Sequence, residues 1–415
     1  MHRFLLSCLL AAPLANFVAA PVAADDWSHW RGHLGSGASP AASPPTEFGP
    51  DQNVRWSVEI PGQGISSPVV RDGVIYLTTT TPAGNGKLNF EVLAIDHATG
   101  QTRWRQVVRT AAPHEGTHST NTYASASPCV DAHAVYASFG SAGIYALTHD
   151  GQEIWQRDLG DMIKRNGFGE GSSPTLAGDL LVVPWDHQGP SKLFALDRRS
   201  GAIVWQTDRD EPSNWGTPLV VGHGDQTRII TTGENFVRGY DLWGNELFRA
   251  AGQTMRPAAS PVVKDDLVIV TSGFRGSFLG AYRWSGRGDL TGTADEVWTL
   301  GRDTPDIASP LVSGDRLYFY KGKTGLLSCV DVRTGQFHYR TARLPGLRSI
   351  YASPVAAGGH VYLSDRDGTI VVIDDADELR IVSTNQLPTG IDATPAPVDD
   401  TLVVRTLHRL YCFQQ

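Results

Sequence analysis

The sequence predicts an all-β chain, an eight-bladed β-propeller with four-stranded blades, closed by N- and C-terminal segments that share the last blade. Three observations carry this. A short pattern, small residue then Ser or Thr then Pro, recurs eight times. Each copy is followed by a tight polar turn and a β-branched or aromatic run. The last copy ends one strand short, and a matching strand lies near the start of the chain.

The pattern reads Ser66-Ser67-Pro68, Ala126-Ser127-Pro128, Ser172-Ser173-Pro174 and Gly216-Thr217-Pro218 in the first half. It continues as Ala259-Ser260-Pro261, Ala308-Ser309-Pro310, Ala352-Ser353-Pro354 and Ala393-Thr394-Pro395. Successive prolines are 60, 46, 44, 43, 49, 44 and 41 residues apart. Units of that length holding four short strands and no helical stretch are propeller blades. The innermost strand of each blade lies where neighbours crowd around the axis, so the residue before the hydroxyl must be small. Proline is tolerated there because an innermost strand is an edge. Turns such as Asp72-Gly73 and Gly314-Asp315 then lead into the second strands Val74–Leu77 and Leu317–Tyr320.

The outer half of each unit is a third strand, a turn and a strand ending in an aromatic, as in Leu93–Trp104 and Leu193–Trp205. That aromatic is expected to pack between blades. The final unit stops at Leu410-Tyr411-Cys412-Phe413, and Val54-Arg55-Trp56-Ser57-Val58 supplies its missing outer strand. Pairing the two would remove the open edges of the ring. The expected organisation is a signal peptide over 1–24, an arm over 25–52 packed on the ring, and the propeller over 53–415.

Residues 1–24 combine Arg3, an apolar stretch from Phe4 and small residues before Asp25, the layout of a secretory signal cleaved after Ala24. Pro13, Asn16 and Pro21 interrupt a stretch too short to span a bilayer, and the run before Cys8 is short for a lipoprotein anchor. The expected address is therefore periplasmic or secreted, without a membrane span. The remaining cysteines, Cys129, Cys329 and Cys412, are odd in number, widely spaced and set in apolar runs, which reads as buried free thiols. A net charge of -8 with no basic cluster argues against nucleic acid. The chain is expected to be monomeric.

The strings Ala94-x-Asp96-x-x-Thr99-Gly100-x-x-x-Trp104 and Ala195-x-Asp197-x-x-Ser200-Gly201-x-x-x-Trp205 resemble the tryptophan-docking motif of pyrroloquinoline-quinone (PQQ) repeat propellers. Looser copies end at Trp155, Phe248 and Tyr339. The opening Trp27-x-x-Trp30-Arg31-Gly32 and the string NGFGEGSSP at 166–174 are similar to secreted bacterial PQQ-like repeat proteins, distantly BamB-like. The resemblance covers residues 27–415. It implies the fold, and it leaves activity open, because most chains with such repeats bind no quinone.

Loop lengths polarise the ring. Turns between first and second strands and between third and fourth are tight, whereas connections between blades and between second and third strands are long and share one face. That face is the expected ligand-binding surface, carrying His114, Glu115, His118, Glu170, Trp215, Arg256, Arg275, Asp306, Arg348, Tyr351 and Asp392. Arg165, Asp186 and His187 are placed there too.

His114-Glu115-Gly116-Thr117-His118 formally matches HExxH, a pattern that needs a helix to turn both histidines to one side. Pro113 and Gly116 make it a loop, which leaves a non-catalytic metal site using His114 with His118, or one built on Glu170. The resemblance also implies what a quinone site would need: Glu170 as calcium ligand, Trp215 as platform and Asp306 as catalytic base. Against that, the chain is shorter than the quinoprotein alcohol dehydrogenases and lacks their adjacent-cysteine disulfide. Two function classes follow. The first is a non-catalytic binding or scaffold module that presents the loop-rich face to a protein or polymer partner and needs no cofactor. The alternative is a PQQ- or metal-dependent oxidoreductase, using PQQ with Ca2+ at the axial mouth.

Overall fold

The computed structural model describes residues 26–32 and 35–415, so the expected signal peptide lies outside the described residues. Eight sheets surround one axis, each with four antiparallel strands from centre to rim. Blade 1 comprises Val69–Arg71, Val74–Gly84, Lys87–Asp96 and Thr102–Ala111. Blade 8 comprises Ala396–Val398, Thr401–Arg405, Arg409–Gln414 and Val54–Glu59, so the first and last parts of the ring share one sheet. Helix among the described residues is confined to single 3-10 turns.

One row of residues explains the blade. In blade 1 the register aligns Val69, Tyr76, Ala94 and Trp104; in blade 3 it aligns Thr175, Val182, Ala195 and Trp205. The third-strand position is small in most blades, with Ala146, Gly239, Ala281, Cys329 and Cys412 as further examples. This gives two of the three buried cysteines a packing reason, and all three are free thiols. Gly239 is required outright, because a Cβ there would lie 2.1 Å from the Phe248 ring.

The outer tryptophans lock neighbouring blades. The indole N–H of Trp104 donates to His149 O at 2.7 Å, and Trp155 and Trp205 do the same to Arg198 O and Leu242 O one blade further on. Each ring lies over the glycine of that neighbour's turn. Trp56 repeats the contact from blade 8 to His97 O of blade 1 at 2.9 Å, across the closure. Trp298 of blade 5 makes the same contact to Val332 O of blade 6 at 3.0 Å. Burying such a ring contributes about 2–3 kcal/mol, so these five contacts commit the ring to its blade order.

The unequal proline spacings have structural causes. The longest is absorbed by the extended second and third strands of blade 1 and the loop over 112–127. The 49-residue spacing carries Gly288–Asp289, which adds a parallel fifth strand to the rim of blade 4.

The hydroxyls of the repeat do more than save space. Thr394 N donates to Ser67 Oγ, Ser67 N to Ser127 Oγ, and Ser127 N to Ser173 Oγ, at 2.9–3.0 Å. The pattern continues through Thr217, Ser260, Ser309 and Ser353 back to Thr394, one unidirectional circle of eight bonds. Each innermost strand thus passes its unpaired N–H to the next blade.

The described residues of the arm, 26–32 and 35–39, run beneath this circle. Trp27 bridges Val70 of blade 1, Ser28 O accepts from Val130 N of blade 2, and His29 meets Thr175 of blade 3. The buried Arg31 guanidinium donates to Pro310 O of blade 6 at 2.5 Å. Ala38–Ser39 then pairs parallel with Val355–Ala357, so the innermost strand of blade 7 is not an edge, contrary to the general expectation. Next, Phe48 packs against Phe413 of blade 8 with ring centroids 4.6 Å apart, tilted by 31°.

Candidate functional site

The long loops meet at one end of the axis and surround two adjoining cavities. The axial funnel has a volume of about 240 Å³. Hydroxyl residues of the circle line it, including Ser67, Ser127, Ser173, Thr217, Ser353 and Thr394, and Trp30 of the arm lines its inner end. The rim is aromatic and charged: His118, Phe168, Trp215, Arg256, Lys323, Tyr351 and Asp392. A smaller cleft of about 90 Å³ lies between the loops of blades 1, 2 and 3 and holds His114, Glu115, Glu170, Lys164 and Ser141.

The funnel's charges are shared unevenly. Arg256 reaches Asp306 at 3.4 Å and Lys323 reaches the same carboxylate at 3.8 Å. Arg366 holds Asp392 with two bonds of 2.6 and 3.0 Å. Burial raises the Asp392 carboxyl above its ordinary value, with Arg366 opposing. The cations also lie over rings: Arg256 is 3.7 Å from the Phe274 centroid and Arg366 is 4.3 Å from Tyr351. Such contacts hold a guanidinium at a wet rim at modest cost.

Trp215 joins the two cavities. Its indole N–H donates to Gly169 O at 2.7 Å, which leaves the ring faces free. One of them receives the Lys164 ammonium at 4.6 Å. Lys164 is buried and donates to Asp186 O and Asn214 O at 2.7 and 2.8 Å. Burial pushes it down to about 8.

Of the residues singled out in the sequence, His118, Trp215, Arg256, Tyr351 and Asp392 converge on the funnel. His114, Glu115 and Glu170 converge on the cleft. Arg275 and Arg348 are exposed and line neither cavity. Asp186 is a structural acid, buried in a bidentate pair with Arg209.

Two expected groupings are corrected. His118 faces the funnel and binds Thr120, so it does not pair with His114; the extended loop around Gly116 separates them where a helix would have aligned them. Glu170, Trp215 and Asp306 do not line one cavity either. The Glu170 carboxylate is drawn into the cleft by Ser141, whose N–H donates to it at 2.8 Å and whose hydroxyl also donates. Asp306 is buried between Arg256 and Lys323. The three residues that the resemblance would assign to a quinone with its calcium are therefore divided between separate places.

Lys164, Ser141, Lys323 and Arg366 were not singled out in the sequence. Ser141 lies in a glycine-containing turn between second and third strands, on the loop-rich face. That location was the available signal.

A family model described as outer membrane protein assembly factor BamB matches residues 49–166 and 140–384. The chain belongs to this family. A protein of that name from Burkholderia pseudomallei (strain K96243) is 24% identical over 277 residues, covering 65% of this chain and 64% of its own length. The chain thus matches less than two thirds of that relative. Two solved structures share the fold of this family member. Quinohemoprotein alcohol dehydrogenase from Comamonas testosteroni superposes with a TM-score of 0.68 at 11% identity, covering 94% of this chain and 80% of that one. A europium-containing methanol dehydrogenase gives 0.66 at 12%, covering 94% and 98%. No helix among the described residues of the BamB-family chain is long and apolar enough to cross a membrane.

Proposed function

We propose that the protein is an exported, non-catalytic binding propeller whose loop-rich face holds an extended, acidic segment of a protein or polymer partner at the funnel. The observation that carries this reading is the funnel rim. Arg256 and Lys323 lean on one carboxylate, Asp306, so the rim keeps positive charge on a chain whose net charge is -8. Trp215, Tyr351 and Phe168 supply flat apolar area beside these cations, the residue types that dominate binding hot spots. Arg348 and Arg275 extend the positive surface outward. Membership in a family described as an outer membrane assembly factor fits a partner that is itself a protein. The leader over 1–24, cleaved after Ala24, would bring the chain to the same compartment.

The test is binding of the mature protein to acidic and basic peptides of equal length. Acidic peptides should bind, and Lys323→Glu with Arg348→Glu should weaken them at least tenfold while the melting temperature holds. Equal binding by parent and variant would move the site elsewhere. The placement of Glu170 and Asp306 tells against redox chemistry. PQQ added with Ca2+ is expected to leave the melting temperature where Ca2+ alone puts it. A further rise that Trp215→Ala removes would favour the oxidoreductase reading instead.

A further inference from the structure

We propose that His114, Glu115 and Glu170 form a binding site for one first-row divalent cation, with Zn2+ the best match, in the cleft between the loops of blades 1, 2 and 3. This site is separate from the funnel and does not depend on what the funnel holds. The three residues bring one ligand atom each to within 4.8 Å of one another. Ligands about 2.1 Å from a common ion lie roughly 3–4.2 Å apart, so shifts of less than about 1 Å close the set.

The surrounding contacts do what outer partners of a metal site do. His114 Nε2 lies 2.6 Å from Met162 O, so that nitrogen carries the proton and Nδ1 keeps its lone pair. The nearest acid to Nδ1, Asp161, is 3.9 Å away, too long for a hydrogen bond. Both Glu170 oxygens are aimed by Ser141, and both Glu115 oxygens accept the Lys164 backbone N–H at 3.2 Å. Each carboxylate is therefore oriented yet retains lone pairs for an ion.

The niche is also shaped for the glutamate. Gly140 has φ +55°, and a Cβ there would sit 1.3 Å from Glu170 Oε2. Only glycine admits the carboxylate at this point. The cleft of about 90 Å³ leaves room for water to complete the ion's shell. The cations facing the cleft are engaged: the Lys164 ammonium by two carbonyls, and Arg109 by Ala142 O at 3.2 Å and Asp158 at 3.7 Å. Two glutamates side by side therefore face the single Lys164 ammonium, and the cluster keeps a net negative charge that a divalent cation would offset. An imidazole with two carboxylates suits zinc, whereas calcium prefers oxygen alone.

The test is calorimetry of the chelator-treated mature protein with Zn2+ and, in parallel, Ca2+. One equivalent of Zn2+ should bind, at least tenfold more tightly than Ca2+. His114→Ala and Glu170→Gln should each weaken zinc tenfold or more, with His133→Ala, on an exposed turn of blade 2, unchanged. Melting temperatures measured without metal separate lost ligands from lost folding: Gln at 170 still accepts from Ser141. No stoichiometric uptake by the parent overturns the proposal. So does tight Ca2+ binding indifferent to His114→Ala, or a loss caused by His118→Ala in place of His114→Ala.

Discussion

Thr394 donates its backbone N–H to the Ser67 hydroxyl at 2.9 Å, and this bond joins the first repeat to the last across 327 residues. The same contact is made at every other blade junction, always in one direction. Each junction is thus satisfied by the blade that follows, and the circle is complete only when all eight blades are present. The eightfold hydroxyl is a closure device as well as a concession to crowding.

Breaking one link should therefore cost what a buried, unsatisfied N–H costs. Ser309→Ala removes the acceptor of Ser260 N, a bond of 2.9 Å inside the ring. A loss of about 1–3 kcal/mol is expected in urea denaturation. Ser309→Thr keeps the acceptor, as Thr217 and Thr394 do naturally, and should cost much less. Equal losses for the two variants would show that packing, not the hydrogen bond, governs the position.

The tryptophan locks separate two costs of replacing glycine. Gly151 has φ +84°, and a Cβ there would lie 2.7 Å from the Trp104 ring. Gly73 has φ +70° and open space around it. Gly73→Ala should cost only the left-handed backbone penalty, about 1 kcal/mol. Gly151→Ala should cost that plus the displacement of Trp104, about 2–4 kcal/mol in total. Thermal melts of the pair would check the difference, and similar values would mean that the ring slides without loss.

Much of this architecture is legible in the sequence because it repeats. Ser67 through Thr394, the docking strings around Trp104 and Trp205, and the strand at Val54–Val58 each recur or complete a pattern. The site does not repeat, and its legibility drops accordingly. The face carrying Trp215, Arg256 and Tyr351 follows from loop length. The division between funnel and cleft depends on Ser141 drawing in Glu170 and on the bend at Gly116, which no spacing encodes. Arg256 lies on the expected face, and its pairing with Asp306 and contact with Phe274, which the sequence does not indicate, make it part of the rim's framework.

Acid should weaken the closure. His97 sits at the blade 8 to blade 1 junction, with Nε2 2.9 Å from Thr401 Oγ1, and burial holds its imidazole below the ordinary value. His29, which ties the arm to blade 3, is lowered by burial as well. A histidine with a depressed folded pKa is neutral in the fold while its unfolded counterpart takes up a proton near pH 6.5. The unfolded state then binds more protons, so stability falls as pH drops through that value, by at most about 1.4 kcal/mol per pH unit for each group. Denaturation at pH 7.5 and 5.5 should show the loss, and His97→Gln should reduce it. An unchanged slope in His97→Gln would assign the acid sensitivity elsewhere.

The segment before the first repeat has two separable roles. Residues 26–39 line the inner end of the axis through Trp30 and tie several blades together through Trp27, Arg31 and the pairing of Ala38–Ser39. Val54–Glu59 instead is the outer strand of blade 8, and its Trp56 reaches His97 O of blade 1. Removing residues 26–39 strips contacts from a ring that is still closed, so it should lower the melting temperature and keep one cooperative transition. Removing everything through Glu59 leaves Arg409–Gln414 as an exposed edge and empties the Trp56 contact with Gly100. That opens both the sheet and the blade junction, the state most prone to edge pairing with another chain. Calorimetry should then show a broadened or absent transition, and light scattering should show association. If both truncations melt alike, the shared blade does not close the ring energetically, and the arm carries the stability instead.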